Sequence, residues 1–148
     1  MIAKKTTTAP EGVSVDIAIR ADIHYLPVFR EIVKSVGKAS GLVTDDIDDM
    51  QLAVDEIATT LIEIAATGSE VTCSIEDNGA ALCVTMTAEC AAAPLPRTNS
   101  FRWHVVRTLA DDLDWHQDAH MENHGRRNGK CPSTTVQVVK RKALPVGE

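Results

Sequence analysis

The chain has 148 residues, a length that fits one domain with an adequate hydrophobic core. Hydrophobic residues make up 44% and charged residues 24%, as in ordinary soluble globular proteins, and the apolar runs are too short to cross a bilayer. The polar N-terminus lacks the apolar stretch of a signal peptide, so we expect a cytoplasmic location and no membrane contact. The net charge of −6 argues against direct binding of nucleic acid.

Apolar periodicity and turn residues divide the chain into helices and strands. Alternation predicts a strand over 13–19, and helical spacing predicts one helix over about 24–40 and a second from Thr44 to a stop at Gly68. Strand-like runs over 70–76 and 81–87 flank Asp77-Asn78-Gly79, and Asn-Gly is a strong hairpin signal. The remaining predicted elements are a short helix over about 100–112 and strands over 113–116 and 134–139.

This element order, β-α-α-β-β-α-β-β, predicts the fold class. Strands joined by hairpins, with helices grouped between them, indicate an α+β two-layer sandwich, with the helices on one face of a mixed, mostly antiparallel sheet. We expect a single domain over residues 13–141, a disordered tail over 1–12 and a second tail over 142–148.

The second helix carries two different faces. A core stripe is predicted at helical spacing, formed by Met50, Val54, Ile57, Leu61 and Ile64. Glu56, Thr60 and Glu63 share another face, and Thr44 is the expected N-cap. Acidic residues crowd this helix and basic residues crowd the C-terminal segment. The acidic run suits either a basic protein partner or a plain solvated helix face.

The cysteines and histidines show no clear reactive pattern. The four cysteines lack paired C-x-x-C spacing and are expected to be reduced, mostly buried thiols: Cys73, Cys83, Cys90 and Cys131. Three histidines spaced four apart would suit a metal ion on a helix, but the surrounding glycines and asparagines favour a solvated loop: His116, His120 and His124.

Three segments and a closing strand together resemble the GHKL ATPases, in the version found in anti-sigma factor kinases of the RsbW and SpoIIAB type. Residues 52–65, Leu-Ala-Val-Asp-Glu-Ile-Ala-Thr-Thr-Leu-Ile-Glu-Ile-Ala, are similar to the N-box helix of that family. Residues 81–87 resemble the strand that leads into the Asp-x-Gly box. Residues 100–112 resemble the helix that opens on the nucleotide phosphates, and residues 133–136 resemble a closing Gly-Thr-Thr-Val strand. The resemblance covers about residues 13–140.

The departures from the family pattern fall on the nucleotide site. Ala88 stands where the family has the Asp that accepts the adenine amino group, and Thr60 replaces the magnesium-binding Asn, a poorer Mg²⁺ ligand. Glu56, the family's candidate catalytic base, is retained. The glycines that allow close approach to the phosphates are replaced by Cys90, Ser100 and Arg102, and Thr134 lies on the closing strand of the same site.

The resemblance implies an anti-sigma factor with a degenerate nucleotide site, no resident cofactor, and at most weak binding of ATP and Mg²⁺. Its implied partners are an alternative sigma factor of the stress or sporulation class, a STAS anti-anti-sigma factor and a second copy in a homodimer, with Arg30 at a partner-contacting position. Two alternatives stay open. One is an active serine kinase that phosphorylates the STAS protein with Glu56 as base, and the other is a pseudokinase scaffold that pairs with an active paralogue.

Overall fold

Five strands and three α-helices make up the described part of the chain, which covers residues 12–89, 101–118 and 133–143 of this computed structural model. The predicted order β-α-α-β-β-α-β-β is confirmed. A short 3-10 turn over Ile23–Tyr25 leads into the first helix. The elements are β1 (Ser14–Arg20), α1 (Leu26–Ala39), α2 (Thr44–Ile64), β2 (Glu70–Asp77), β3 (Ala81–Glu89), α3 (Phe101–Leu109), β4 (Asp112–Asp118) and β5 (Ser133–Arg141).

The strands form one sheet in the order β1-β2-β3-β5-β4. All four pairings are antiparallel, so the sheet is more uniform than the mixed one that was expected. The predicted hairpin joins β2 and β3. Gly79 supplies the positive φ of 95°, and the carboxylate of Asp77 accepts its backbone N–H at 2.8 Å. The side-chain oxygen of Asn78 accepts the backbone N–H groups of Ala80 and Ala81, both at 2.9 Å.

The core lies between the helices and one face of this sheet, as a two-layer sandwich requires. The predicted stripe of α2 is buried from Met50 to Leu61, and Ile64 packs against the same core. Alternate residues of the central strands pack into this core, because successive side chains on a strand point to opposite faces of the sheet. These inward residues are Val71, Cys73, Ile75, Leu82, Val84, Met86, Val136 and Val138.

Several element boundaries differ from the sequence-based prediction. Val43, not Thr44, is the N-cap of α2, and its carbonyl accepts the N–H groups of Asp46 and Ile47 at 3.0 Å. Helix α3 ends at Leu109 rather than at residue 112. The chain turns into β4 there because the backbone N–H of Asp111 bonds to the sheet at Val139, at 2.9 Å. Tertiary pairing thus overrides a helical pattern.

The predicted tails lie mostly outside the described residues, but Lys142 belongs to the ordered structure. Its backbone N–H donates to Ala80 at 2.9 Å, and its ammonium group contacts the buried carboxylate of Asp77 at 2.9 Å. Ordered contacts therefore continue one residue past the predicted end of the domain. Among the described residues, no helix is long and apolar enough to cross a membrane.

Candidate functional site

Arg102 joins helix α3 to the polar face of helix α2. Glu56, Thr60 and Glu63 follow one another at steps of four and three along α2, so they lie on one face of the helix. Arg102, in the first turn of α3, contacts all three. Its Nε lies 2.9 Å from Oε1 of Glu56, and its Nη1 lies 3.1 Å from Oε1 of Glu63 and 3.3 Å from the Thr60 hydroxyl. We call these four residues the α2–α3 cluster.

The hydroxyl of Thr60 is held from two sides. It donates to the backbone carbonyl of Glu56 at 3.0 Å, one helical turn earlier, and it accepts from Arg102. The residue is only 8% exposed. Thr60, at the position where the family has its metal-binding Asn, therefore uses its hydroxyl donor and one acceptor site in contacts within the protein.

Glu56 is similarly engaged. Its side chain is 29% exposed and that of Arg102 is 33% exposed, so both are partly withdrawn from solvent. A hydrogen bond between two ionised groups is stronger than a neutral one. The oxygen of Glu56 that contacts Arg102 is thus already committed to a cation, whereas a general base needs an oxygen directed at the proton that it removes.

The other predicted site residues on the sheet form a separate pair. Ala88 on β3 lies opposite Thr134 on β5, and both are fully buried. The hydroxyl of Thr134 accepts a hydrogen bond from the side-chain amide of Gln117 at 2.8 Å. The methyl group of Ala88 offers no acceptor for an adenine amino group. Cys90 and Ser100 lie outside the described residues.

The geometry at the cluster differs from a set of ligands arranged for magnesium. Magnesium prefers six oxygen ligands with near-octahedral geometry at about 2.1 Å. Here one side-chain oxygen each of Glu56, Thr60 and Glu63 contacts the guanidinium group of Arg102 at 2.9 to 3.3 Å. A divalent ion bound to the same oxygens would approach a permanent positive charge within a few Å, so the residues in this arrangement do not fit it.

Arg30, the expected partner-contacting residue, is tied to α2. Its guanidinium forms an ion pair with Asp55, and its backbone carbonyl accepts the side-chain amide of Gln51 at 3.0 Å. The side chain of Arg30 is 39% exposed beside this contact. Arg30 is therefore both a link between α1 and α2 and an accessible surface charge.

Sequence reasoning missed a second link between distant segments. Lys140 on β5 donates to the last carbonyl of α3, at Leu109, at 2.8 Å, and its ammonium group lies 3.3 Å from Asp49 and 3.9 Å from Asp46. Its side chain is only 12% exposed. The opposite charges of the second helix and the C-terminal segment were the available signal. Part of the acidic run is therefore neutralised within the chain, which weakens the case that it attracts a basic partner.

The two described cysteines are free and unreactive in character. Burial raises the pKa of the Cys73 thiol to about 12, with a smaller contribution from Asp16. Burial also raises the pKa of the Cys83 thiol, and the carboxylates of Glu76 and Asp112 add to this effect. Since the thiolate is the reactive form, these raised pKa values favour the protonated, less reactive thiol at both positions. Cys90 and Cys131 lie outside the described residues.

The predicted loop histidines give no metal site within the described structure. His116 lies exposed on β4, whereas His120 and His124 fall outside the described residues. Among the residues that the structure describes, no group of three or more metal-binding side chains is assembled.

Comparison with known proteins relates this chain to one family. It is 30% identical over 105 residues to the anti-sigma-F factor RsbW of Mycobacterium tuberculosis, in two strains; the match covers 71% of this chain and 62% of the relative. The chain thus spans less than two thirds of the length of these curated relatives. No family model matches the sequence.

A solved structure shares the fold. The crystal structure of the RsbU and RsbW domains of Rv1364c from Mycobacterium tuberculosis aligns with a TM-score of 0.61 over 90% of this chain and 33% of that one. The identity is 16%, so this likeness concerns the fold alone. By its sequence, the chain is a divergent relative of the anti-sigma-F factor RsbW, and its fold is that of an RsbW-containing structure.

Proposed function

We propose that the chain is a cytoplasmic anti-sigma factor that regulates transcription by sequestering an alternative sigma factor of the stress or sporulation class. A STAS anti-anti-sigma factor releases the sigma factor by competing for an overlapping surface. The 30% identity to a protein named anti-sigma-F factor RsbW supports the sigma-factor partner. The observation that favours binding over catalysis is the contact of Arg102 with both Glu56 and Thr60.

The α2–α3 cluster supports a binding role because phosphoryl transfer depends almost entirely on positioning of metal and phosphate. Arg102 replaces a glycine of the family pattern, and its side chain lies against the helix that would hold the metal. Ala88 cannot accept the adenine amino group. The cluster instead joins α2 to α3 through direct protein contacts, which suits a scaffold that presents a fixed surface.

The start of α1 supports an interaction surface that includes Arg30. Ile23, Tyr25 and Val28 are large apolar residues with substantial exposure, close along the chain to Arg30. Exposed apolar groups beside a charged residue are typical of protein contacts. We also propose a homodimer built along β1 and α1. Among the described strands β1 pairs with β2 alone, so its outer edge is open to a second chain.

The decisive experiment is affinity purification of the tagged chain after co-expression with candidate sigma factors and STAS proteins from its own genome. We expect a stable complex with one sigma factor, displaced by one STAS protein without added nucleotide. Recovery of neither class, with all proteins well expressed, would refute the proposal. Recovery of an active paralogue alone would favour the pseudokinase scaffold.

Variants on α1 test the role of Arg30. We expect Arg30→Ala to weaken recovery of the sigma factor, whereas Lys34→Ala, at an exposed lysine one turn later, leaves it unchanged. Asp55→Asn removes the ion pair but keeps the arginine. If Asp55→Asn weakens recovery as much as Arg30→Ala, the arginine acts through helix packing and not through partner contact.

The alternative function is an ATP-dependent serine kinase that phosphorylates the STAS protein. The retained, partly exposed Glu56 favours it. Calorimetry with ATP and Mg²⁺ distinguishes the two, because a useful nucleotide site binds in the micromolar range, about −8 kcal/mol. Micromolar binding together with phosphate transfer to the STAS protein would establish the kinase, and no heat at millimolar nucleotide would exclude it.

A further inference from the structure

The guanidinium of Arg102 lies among three side-chain oxygens that all belong to one helix. Its contacts to Glu56, Thr60 and Glu63 span 2.9 to 3.3 Å and reach two successive turns of α2. A lone surface ion pair contributes little and is easily exchanged for water. Three convergent contacts, one of them to a buried hydroxyl, define a fixed location for the positive charge.

The charge balance at this location is simple. Two carboxylates from α2 meet one guanidinium from α3, and the hydroxyl of Thr60 supplies a neutral acceptor. Without Arg102, the two carboxylates would have no cation among the contacts described for them. Carboxylate and hydroxyl oxygens are ligands that a hard divalent cation accepts. The same side chains can therefore be satisfied by an arginine or by a metal ion, but not by both at once.

We propose that Arg102 is a built-in cation that takes the place of a divalent metal ion on this face of α2. It offsets part of the negative charge of Glu56 and Glu63, excludes Mg²⁺ and Mn²⁺ from them, and holds the first turn of α3 against α2 in the absence of any metal. The arrangement of α2 and α3 is then independent of metal and nucleotide. This deepens the proposed function, on which it rests only for its biological meaning.

The test uses the purified 148-residue chain and Mn²⁺ alone as the probe. Bound Mn²⁺ broadens the NMR signals of nearby amides, so backbone signals from 56 to 63 report the site directly. We expect no selective broadening in the natural chain at millimolar Mn²⁺. Arg102→Met, which keeps much of the side-chain length without charge, should bind Mn²⁺ at least about tenfold more tightly, with broadening centred on α2.

Two further variants separate a metal site from nonspecific binding. Arg102→Met combined with Glu56→Gln should lose the acquired affinity, because it removes one carboxylate. Arg107→Met, at an exposed arginine of the same helix, removes equal charge elsewhere and should behave like the natural chain. Arg102→Lys retains a cation and serves if Arg102→Met fails to fold, since the lysine variant should still exclude Mn²⁺ from the α2 face.

Melting curves provide an independent readout. The natural chain should melt at the same temperature in Mg²⁺ or in chelator, whereas Arg102→Met should be stabilised by Mg²⁺. Selective Mn²⁺ binding at residues 56–63 of the natural chain would overturn the inference. So would a folded Arg102→Met protein with unchanged Mn²⁺ affinity. Neither measurement involves a sigma factor, so failure here is distinguishable from failure of the proposed function.

Discussion

The ion pair between Asp77 and Lys142 gives a quantitative prediction for stability. Asp77, at the end of β2, is only 5% exposed, and its carboxylate lies 2.9 Å from the Lys142 ammonium group, whose side chain is 23% exposed. The same carboxylate accepts the backbone N–H of Gly79 in the hairpin turn. Lys142→Met removes the cation, keeps an unbranched side chain and leaves a buried carboxylate without its ion-pair partner.

The expected cost follows from the burial of the two partners. Breaking a fully buried pair costs about 3–5 kcal/mol, and losing an exposed pair costs below about 1 kcal/mol. Because Asp77 is buried and Lys142 is partly exposed, we expect the free energy of unfolding to fall by about 2 kcal/mol at pH 7. For a domain of this size that lowers the melting temperature by about 4–8 °C.

The direction in which this stability difference changes with pH can also be predicted. Burial alone would raise the pKa of Asp77, but the hydrogen bond and charge of Lys142, together with the Gly79 N–H, outweigh it and hold the pKa below its ordinary value. A lowered folded-state pKa contributes stability above the unfolded-state pKa of about 3.9, and this contribution is lost as pH falls through the folded-state value. Lys142→Met removes the hydrogen bond and the charge of the lysine, so the folded-state pKa of Asp77 rises relative to that in the natural chain. Protonation of Asp77 in the variant then removes the buried, unpaired charge. The difference in the free energy of unfolding between the two proteins therefore shrinks on acidification.

Urea denaturation followed by circular dichroism, at pH 7 and at pH values from 5 down to 3, measures this difference. Lys34→Met is the matched control, because Lys34 is exposed on α1 and forms no ion pair among the described contacts. It should change stability by less than about 0.5 kcal/mol at every pH. A Lys142→Met protein as stable as the natural chain at pH 7, or a difference that grows towards pH 3, would refute the reasoning.

Three other changes test the core, the buried thiol and the second lysine. Met50→Ala should lower the free energy of unfolding by about 2–5 kcal/mol, because the side chain is fully buried. Leu52→Ala, on the exposed side of α2, should lower it by less than about 1 kcal/mol, and urea titration of both variants compares the two values. Cys73 should resist a thiol reagent such as iodoacetamide in the folded protein at pH 8 and react after denaturation, as mass spectrometry of its peptide would record; rapid native labelling would contradict its raised pKa of about 12. Lys140→Met should cost about 1–3 kcal/mol, because it frees the Leu109 carbonyl and two carboxylates, and an unchanged melting temperature would show that this contact contributes nothing.

Much of the fold could be predicted because local patterns encode it. The stripe of α2 from Met50 to Leu61 repeats at helical spacing, and those residues are buried as predicted. The Asn-Gly pair fixed the hairpin between β2 and β3, where Gly79 adopts the left-handed backbone that glycine favours. Boundaries were less accurate at α3, because the bond from Asp111 to the sheet is a tertiary interaction that no local pattern contains.

The candidate site was predictable in part. Helical spacing alone placed Glu56, Thr60 and Glu63 on one face, and that grouping is confirmed. Arg102 was assigned to the nucleotide site because it stands at a glycine position of the family pattern, but nothing in the sequence indicated that it contacts Glu56, 46 residues earlier in the chain. The partners of Lys140 and Lys142 were equally hidden, because they too lie on distant segments.

The sequence by itself determined the order and type of the elements, the composition of the core and the grouping of Glu56, Thr60 and Glu63 on one face of α2, because each depends on residue type and short-range periodicity. The tertiary structure alone decided where the side chains of the replaced residues lie. Packing α3 against α2 brings Arg102 within hydrogen-bond distance of Glu56, Glu63 and Thr60, and the antiparallel sheet brings Ala88 opposite Thr134. Charges paired across such distances depend on how the chain folds back on itself, and therefore only the folded structure reveals that the face of α2 already carries its own cation.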